Sequence, residues 1–150
     1  MILHGGVRTT EPVRVAHKTL EPGENEAVAI TDLLGELTGL SGFHYDMYDH
    51  SMVVNYDPPG TPEPRREVFI PVPQHFDGIE TKVFPSVRAA FLVFTGTGIT
   101  MEEYYKDLWE YIEKAGLEPS QEIYSVEIMY VPEDLDNEDY TMEIMIPVKG

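Results

Sequence analysis

Two carboxylates each open a repeated strand motif, Glu67-Val68-Phe69-Ile70-Pro71-Val72 and Glu143-Ile144-Met145-Ile146-Pro147-Val148. Side chains alternate between the faces of a strand, so Glu67 shares a face with Phe69 and Glu143 shares one with Met145. Glu127 pairs with Met129 in the same way on a neighbouring segment. A carboxylate in such company attracts cations, and it becomes a general base when its pKa is raised. His44, Asp46 and His50 form a second candidate group, since imidazole with carboxylate suits zinc. Those three span too much chain to converge on one ion, and neither a metal nor a cofactor is expected. Ser41, Ser51, Ser86, Ser120 and Ser125 lack the Gly-x-Ser-x-Gly setting of a hydrolase nucleophile. Gly96-Thr97-Gly98 lacks the Lys and further glycines of a phosphate loop, and reads as a turn.

These residues must be positioned by a chain of 150 residues, a length that suits one domain over residues 1–150. Its 10 basic and 27 acidic residues give a formal charge of -17, which repels phosphate backbones and anionic membrane surfaces. Direct nucleic-acid binding and membrane attachment are therefore not expected. The absence of cysteine removes disulfides, thiolate metal sites and cysteine nucleophiles, and fits a cytoplasmic protein. No leader-like or membrane-spanning run is read in the sequence.

Residues 12–20 read as a first strand, closed by the turn at Pro22-Gly23. Ile30, Leu33, Leu34 and Leu37 recur at helical spacing, and Gly39 and Gly42 end that helix. A pair of strands follows around the turn Asp57-Pro58-Pro59-Gly60, and residues 74–81 read as a polar connection. The apolar run 89–94 reads as a buried strand. Thr100 and Glu103 have capping-box spacing at the start of a helix whose stripe is Met101, Tyr105, Leu108 and Ile112, with Tyr104, Trp109 and Tyr111 on its flanks. Two strands, 122–131 and 140–148, complete the chain around an acidic segment, 132–139.

The order strand, helix, strand, strand occurs twice, over residues 12–73 and 79–149. Tyr56-Asp57-Pro58 and Tyr130-Val131-Pro132 precede the repeated Glu motifs at nearly the same offset. The expected fold class is α+β: a pseudo-two-fold duplication of a β-α-β-β unit, with antiparallel sheets, two main helices and a central cleft. Val68, Ile70, Ile144 and Ile146 are expected to hold the helices. Glu67, Phe69, Glu127, Glu143 and Met145 are then expected to look into the cleft.

The run of apolar strand, Gly-Thr-Gly turn, aromatic helix, Glu- and Tyr-bearing strand and Glu-x-x-Ile-Pro-Val, from Ile79 to Val148, resembles the GyrI-like family of effector-binding domains. That family is found in multidrug-sensing transcription regulators and in stand-alone small proteins, and the first half of the chain matches it mainly through Glu67 to Val72. The resemblance implies a pocket lined by aromatics with a carboxylate at its base that receives cationic, often aromatic, ligands. Glu127 matches the family's pocket Glu, with Glu122 as an alternative through Glu122-Ile123-Tyr124. Tyr105, Trp109, Tyr124 and Tyr130 are the aromatic candidates. A carboxylate among rings carries a large desolvation cost unless paired, and ring faces add attraction of up to ~2 kcal/mol for a dry cation.

Three functions remain open at this point. The first is a stand-alone small-molecule-binding module for cationic or hydrophobic aromatic ligands, acting by sensing or sequestration. It is expected to lack the DNA-binding region of the family's regulators, because the residues before Val13 are too few to fold. The second is a hydrolase of reactive electrophilic molecules, with Glu127 as base and Tyr130 or Tyr105 as proton donor. The third is an acidic inhibitor of a topoisomerase-like protein partner. A binding role is expected ahead of an enzymatic one.

Overall fold

The computed structural model describes residues 2–96, 101–131 and 140–150. All its strands join one antiparallel sheet, and two helices lie against it. The first half supplies β1 (Ile2–Thr9), β2 (Val13–Leu20), α1 (Glu26–Thr38), β3 (His50–Asn55) and β4 (Arg66–Pro71). The second half repeats this order as β5 (Thr81–Phe84), β6 (Arg88–Gly96), α2 (Met101–Lys114), β7 (Ser125–Tyr130) and β8 (Tyr140–Pro147). The order across the sheet is β1-β6-β8-β7-β3-β4-β2-β5. The α+β duplication expected from the sequence is therefore present, but each unit opens with one more strand than the sequence suggested.

Those extra strands are exchanged between the halves. β1 belongs to the first half yet pairs with β6, while β5 belongs to the second half and pairs with β2. The expectation that residues before Val13 are too few to fold is thus corrected. Gly5 and Gly6 disguise the strand, and Gly5 is required there: a Cβ would lie 2.9 Å from the Phe91 carbonyl oxygen. β5 was hidden by its four-residue length and its polar approach.

The exchange bends the sheet. In a flat sheet β1 and β2 would stand six strand spacings, or roughly 29 Å, apart. The three residues between them span at most about 14 Å. The two ends of the sheet must therefore curl toward each other. The two linkers meet, with Thr10 N–H donating to Val87 O at 2.8 Å and Ser86 Oγ donating to Thr10 O at 2.6 Å.

The concave face is filled by Val15, Met52, Val54, Phe69, Phe91, Val126, Ile128 and Met145. On the convex face α1 covers Ala16, Val68 and Ile70 with Leu33 and Leu37, and α2 covers Leu92, Phe94, Ile144 and Ile146 with Leu108 and Ile112. The four aliphatic positions expected to hold helices do so. The buried stripe of α2 is Tyr104, Leu108 and Ile112. Tyr104, read as a flank residue, stacks on Phe94 with centroids 3.8 Å apart. The start of α1 is held by Asn25, whose Oδ1 accepts from Ala27 N–H at 2.8 Å. Thr100 of the capping box, Pro132 of the second Tyr-x-Pro, and the acidic segment 132–139 lie outside the described residues. Among the described residues no helix is long and apolar enough to cross a membrane.

Two buried polar groups on the concave face tie the exchanged strands in place. Tyr130 Oη donates to Glu143 at 2.9 Å, and Arg8 of β1 forms a salt bridge to the same carboxylate. Tyr56 Oη donates to Glu67 at 2.5 Å, and Lys82 of β5 adds an ion pair at 2.7 Å. Burial raises the Glu67 carboxyl, but hydrogen bonds from Lys82 and Tyr56 and the nearby Lys82 and His17 bring it below its ordinary value overall. Burial, then the Glu143 charge, pushes Tyr130 up to about 12, and Tyr56 is raised for the same kind of reason beside Glu67.

Two outcomes are expected. Glu143 is 0% exposed while Arg8 keeps 38% of its side-chain surface, so Arg8→Ala leaves a buried carboxylate without its cation and lowers stability by about 3 kcal/mol in urea unfolding. A phenol whose folded pKa lies above its unfolded value of 10.0 stabilises fully below that pH and loses its contribution as pH rises toward about 12. Tyrosinate absorbance should therefore show Tyr56 and Tyr130 ionising late and together with alkaline unfolding, and early ionisation of both would contradict the buried pairs.

Candidate functional site

The site follows from what the helices leave bare. α1 rests mainly on β2 and β4, and α2 mainly on β6, so the central pair β3 and β7 runs between them on the convex face, with Val53 packed under α1 and Ser125 under Tyr105 of α2. A cleft of about 560 Å³ opens there, against α2 and the β3–β4 loop. In the β3·β7 register Val53 stands opposite Glu127, with Asn55 opposite Ser125. Tyr56 and Tyr130 have corresponding places in the two halves, which makes Val53 the first-half counterpart of Glu127. The pseudo-two-fold axis passes between them.

Glu127 is half-buried and held by neutral donors. Tyr105 Oη donates to its Oε2 at 2.7 Å and Asn55 Nδ2 donates to the same oxygen at 3.0 Å. Asn55 Nδ2 also donates to Ser125 Oγ at 3.1 Å, and Ser125 Oγ lies 2.9 Å from Tyr105 Oη. Because the Tyr105 proton goes to Glu127, the Ser125 hydroxyl gives its own to Tyr105. The four side chains form a closed ring in which every proton has a destination. Burial, followed by the Glu127 charge, raises the Tyr105 phenol well above its ordinary range. No cationic side chain of the described residues contacts Glu127.

The walls are aromatic and rigid. Trp109 and Tyr124 lie with ring centroids 5.8 Å apart, and Pro58, Pro59 and Pro64 also line the cleft. The proline loop is clasped at its base, where Asp57 Oδ2 accepts from Arg65 N–H at 2.8 Å and from Arg65 Nε at 3.0 Å, and Asp57 Oδ1 accepts from Arg65 Nη2 at 2.8 Å. Hydrogen bonds from the Arg65 side chain and backbone bring the Asp57 carboxyl down to about 2. Arg66 and Lys106 also reach the rim, and Arg66 pairs with Glu26 at the start of α1.

Glu127, Tyr105, Trp109 and Tyr124 are thus brought together. Glu67, Phe69, Glu143, Met145 and Tyr130 are not, since the registers Glu127↔Ile144 and Ile128↔Glu143 set Glu127 on the opposite face of the sheet from Glu143. Glu67, Glu143 and Glu127 were expected in one cleft on the face away from the helices. It opens on the helix face, between α2 and the β3–β4 loop, because the helices rest mainly on the flanking strands and part over the central pair. Glu122 is exposed and outside the cleft lining. Tyr45–Met47 form a single helical turn between His44 and His50, and no metal-ligating group of three occurs among the described residues. Asn55 and the proline wall went unread as site residues. The turn at Asp57 was visible, but not what it would face.

No family model matches the chain, and no curated protein matches it in sequence. Solved structures do. The fold is similar to the C-terminal domain of EcmrR, with a TM-score of 0.75 at 15% identity, covering 97% of each chain. The chain shares that fold. It is also similar to SAV2435 bound to tetraphenylphosphonium (TM-score 0.56, 14% identity, 99% of this chain and 95% of that one). A hydrolase from Listeria innocua is a third likeness, with a TM-score of 0.58 at 9% identity over 97% of this chain and 91% of that one. The chain covers 57% of the EcmrR chain solved with DNA.

Trp109 is the only tryptophan in the chain, so its emission reports on the cleft. Asp57→Ala should free the proline loop and speed tryptic cleavage after Arg65, while the melting temperature falls only slightly. An unchanged cleavage rate would show that the clasp does not hold the wall.

Proposed function

We propose that the chain is a GyrI-like effector-binding domain over residues 1–150 whose cleft binds a cationic, aromatic small molecule on Glu127. The observation that carries this reading is the pairing of the Glu127 carboxylate with neutral donors alone inside a half-buried aromatic cleft. Such a carboxylate has no ion-pair partner among the described residues to compete with a ligand, and the rings of Tyr105, Trp109 and Tyr124 add cation–π attraction of about 0.5–2 kcal/mol. The likeness to SAV2435 bound to tetraphenylphosphonium supports it, as does the likeness to the EcmrR C-terminal domain. The role is sensing or sequestration in the cytoplasm. The acidic surface argues against direct contact with nucleic acid, so an effect on transcription would act through a protein partner.

A thermal-shift screen against cationic aromatic dyes tests this. A ligand present at 100 times its Kd adds about 2.7 kcal/mol to stability, and Glu127→Gln should remove most of the shift for cations while sparing neutral aromatics. No shift with any cation, or equal shifts in wild type and Glu127→Gln, would remove the proposal.

One observation favours a second reading as a hydrolase of electrophilic small molecules: the Tyr105 hydroxyl stands 2.7 Å from the Glu127 carboxylate, so a proton donor and a base share one cleft. Tyr105 takes the donor role in that reading, because Tyr130 is engaged with Glu143 on the other face. Loss of an electrophilic substrate catalysed by wild type and abolished in Glu127→Gln would support it, and absence of turnover would exclude it.

A further inference from the structure

The ring around Glu127 sets how much of the carboxylate is offered to a ligand. A carboxylate oxygen has two lone-pair directions, and an ionised carboxylate accepts about four hydrogen bonds in all. On Oε2 both directions are taken, one by Tyr105 Oη at 2.7 Å and one by Asn55 Nδ2 at 3.0 Å. No described residue donates to Oε1. Glu127 lines the open cleft, so Oε1 is the oxygen left for an incoming group.

This one-sided presentation separates two kinds of organic cation. A guanidinium or amidinium ion carries parallel N–H groups in a fixed fork, and its strong mode of binding to a carboxylate uses both oxygens at once. Here its second N–H would meet an oxygen whose two lone-pair directions are already taken by donors. An ammonium ion needs a single acceptor for each N–H and can approach Oε1 end-on. The rings of Trp109 and Tyr124 line the same cleft and offer apolar surface to its remaining substituents.

We propose that Tyr105 and Asn55 are specificity-determining residues that block one oxygen of Glu127, so that the cleft selects aryl-substituted ammonium ions over guanidinium and amidinium ions of the same shape. This rests on the reading of the cleft as a cation site. It goes further by giving the two neutral donors a role in choosing the cation.

Calorimetric titration with a matched pair of probes, naphthylmethylammonium and naphthylmethylguanidinium, tests it, with Trp109 emission as a second readout. Wild type should bind the ammonium ion more tightly. Tyr105→Phe keeps the ring and frees one lone pair of Oε2, so the affinity ratio should move toward the guanidinium ion by about tenfold, the weight of a hydrogen bond to a charged group. Asn55→Ala should move the ratio the same way from the other side of the oxygen. A wild-type preference for guanidinium, or a ratio unchanged in both variants, overturns the inference while leaving the cation site standing if both probes lose affinity in Glu127→Gln. Failure of wild type to bind either probe sinks the cation site and this inference together.

Discussion

Everything in this fold depends on two linkers too short for the distance they would have to cross in a flat sheet. The chain passes from β1 to β2 and from β5 to β6 in three residues each, although each pair of strands lies at opposite ends of the sheet order. Curvature is the only solution, and the hydrogen bonds between Thr10 and Val87 and between Ser86 and Thr10 fix it where the linkers cross. Once the sheet is curled, its concave face closes on itself and needs no helix. The helices are left to the convex face, where two of them cannot cover eight strands.

The division of labour between carboxylates follows from that geometry. Glu67 and Glu143 sit on the closed face, where an unpaired charge would be costly, and each meets a cation from an exchanged strand together with a tyrosine hydroxyl. Glu127 sits on the face the helices leave open and meets only neutral donors. Three acids on similar strands thus have two fates, decided by which way each side chain points rather than by the local sequence.

That is also why the chain could be read only in part. Periodicity in Leu33 and Leu37, and in Leu108 and Ile112, located both helices, and the repeated Glu-x-x-Ile-Pro-Val exposed the duplication and the helix-facing role of Ile144 and Ile146. Alternation along a strand says which residues share a face. It does not say which of the two faces opens to solvent, and grouping Glu127 with Glu143 failed at that step. The ring joins Ser125 and Glu127 of β7 to Asn55 and Tyr105, far away in sequence, through strand pairing and helix docking, so no local spacing announced it. Edge strands β1 and β5 were illegible for a simpler reason: glycines in one and brevity in the other erase the alternation on which recognition of a strand depends.

The facing positions of Val53 and Glu127 explain what a duplicated chain can do that a symmetric pair of identical subunits cannot. Residues opposite each other on an antiparallel pair hold their Cβ atoms about 4.5–5.5 Å apart, and like charges in that arrangement repel. Two copies of one half, assembled as a homodimer, would have to place either two carboxylates or none on the axis. Fusion into a single chain frees the halves to diverge, so that one contributes a valine to the core beneath α1 and the other an acid to the cleft. A single negative charge at the centre of a nearly symmetric frame is thus open to a protein that carries both halves in one sequence and closed to a homodimer of either half.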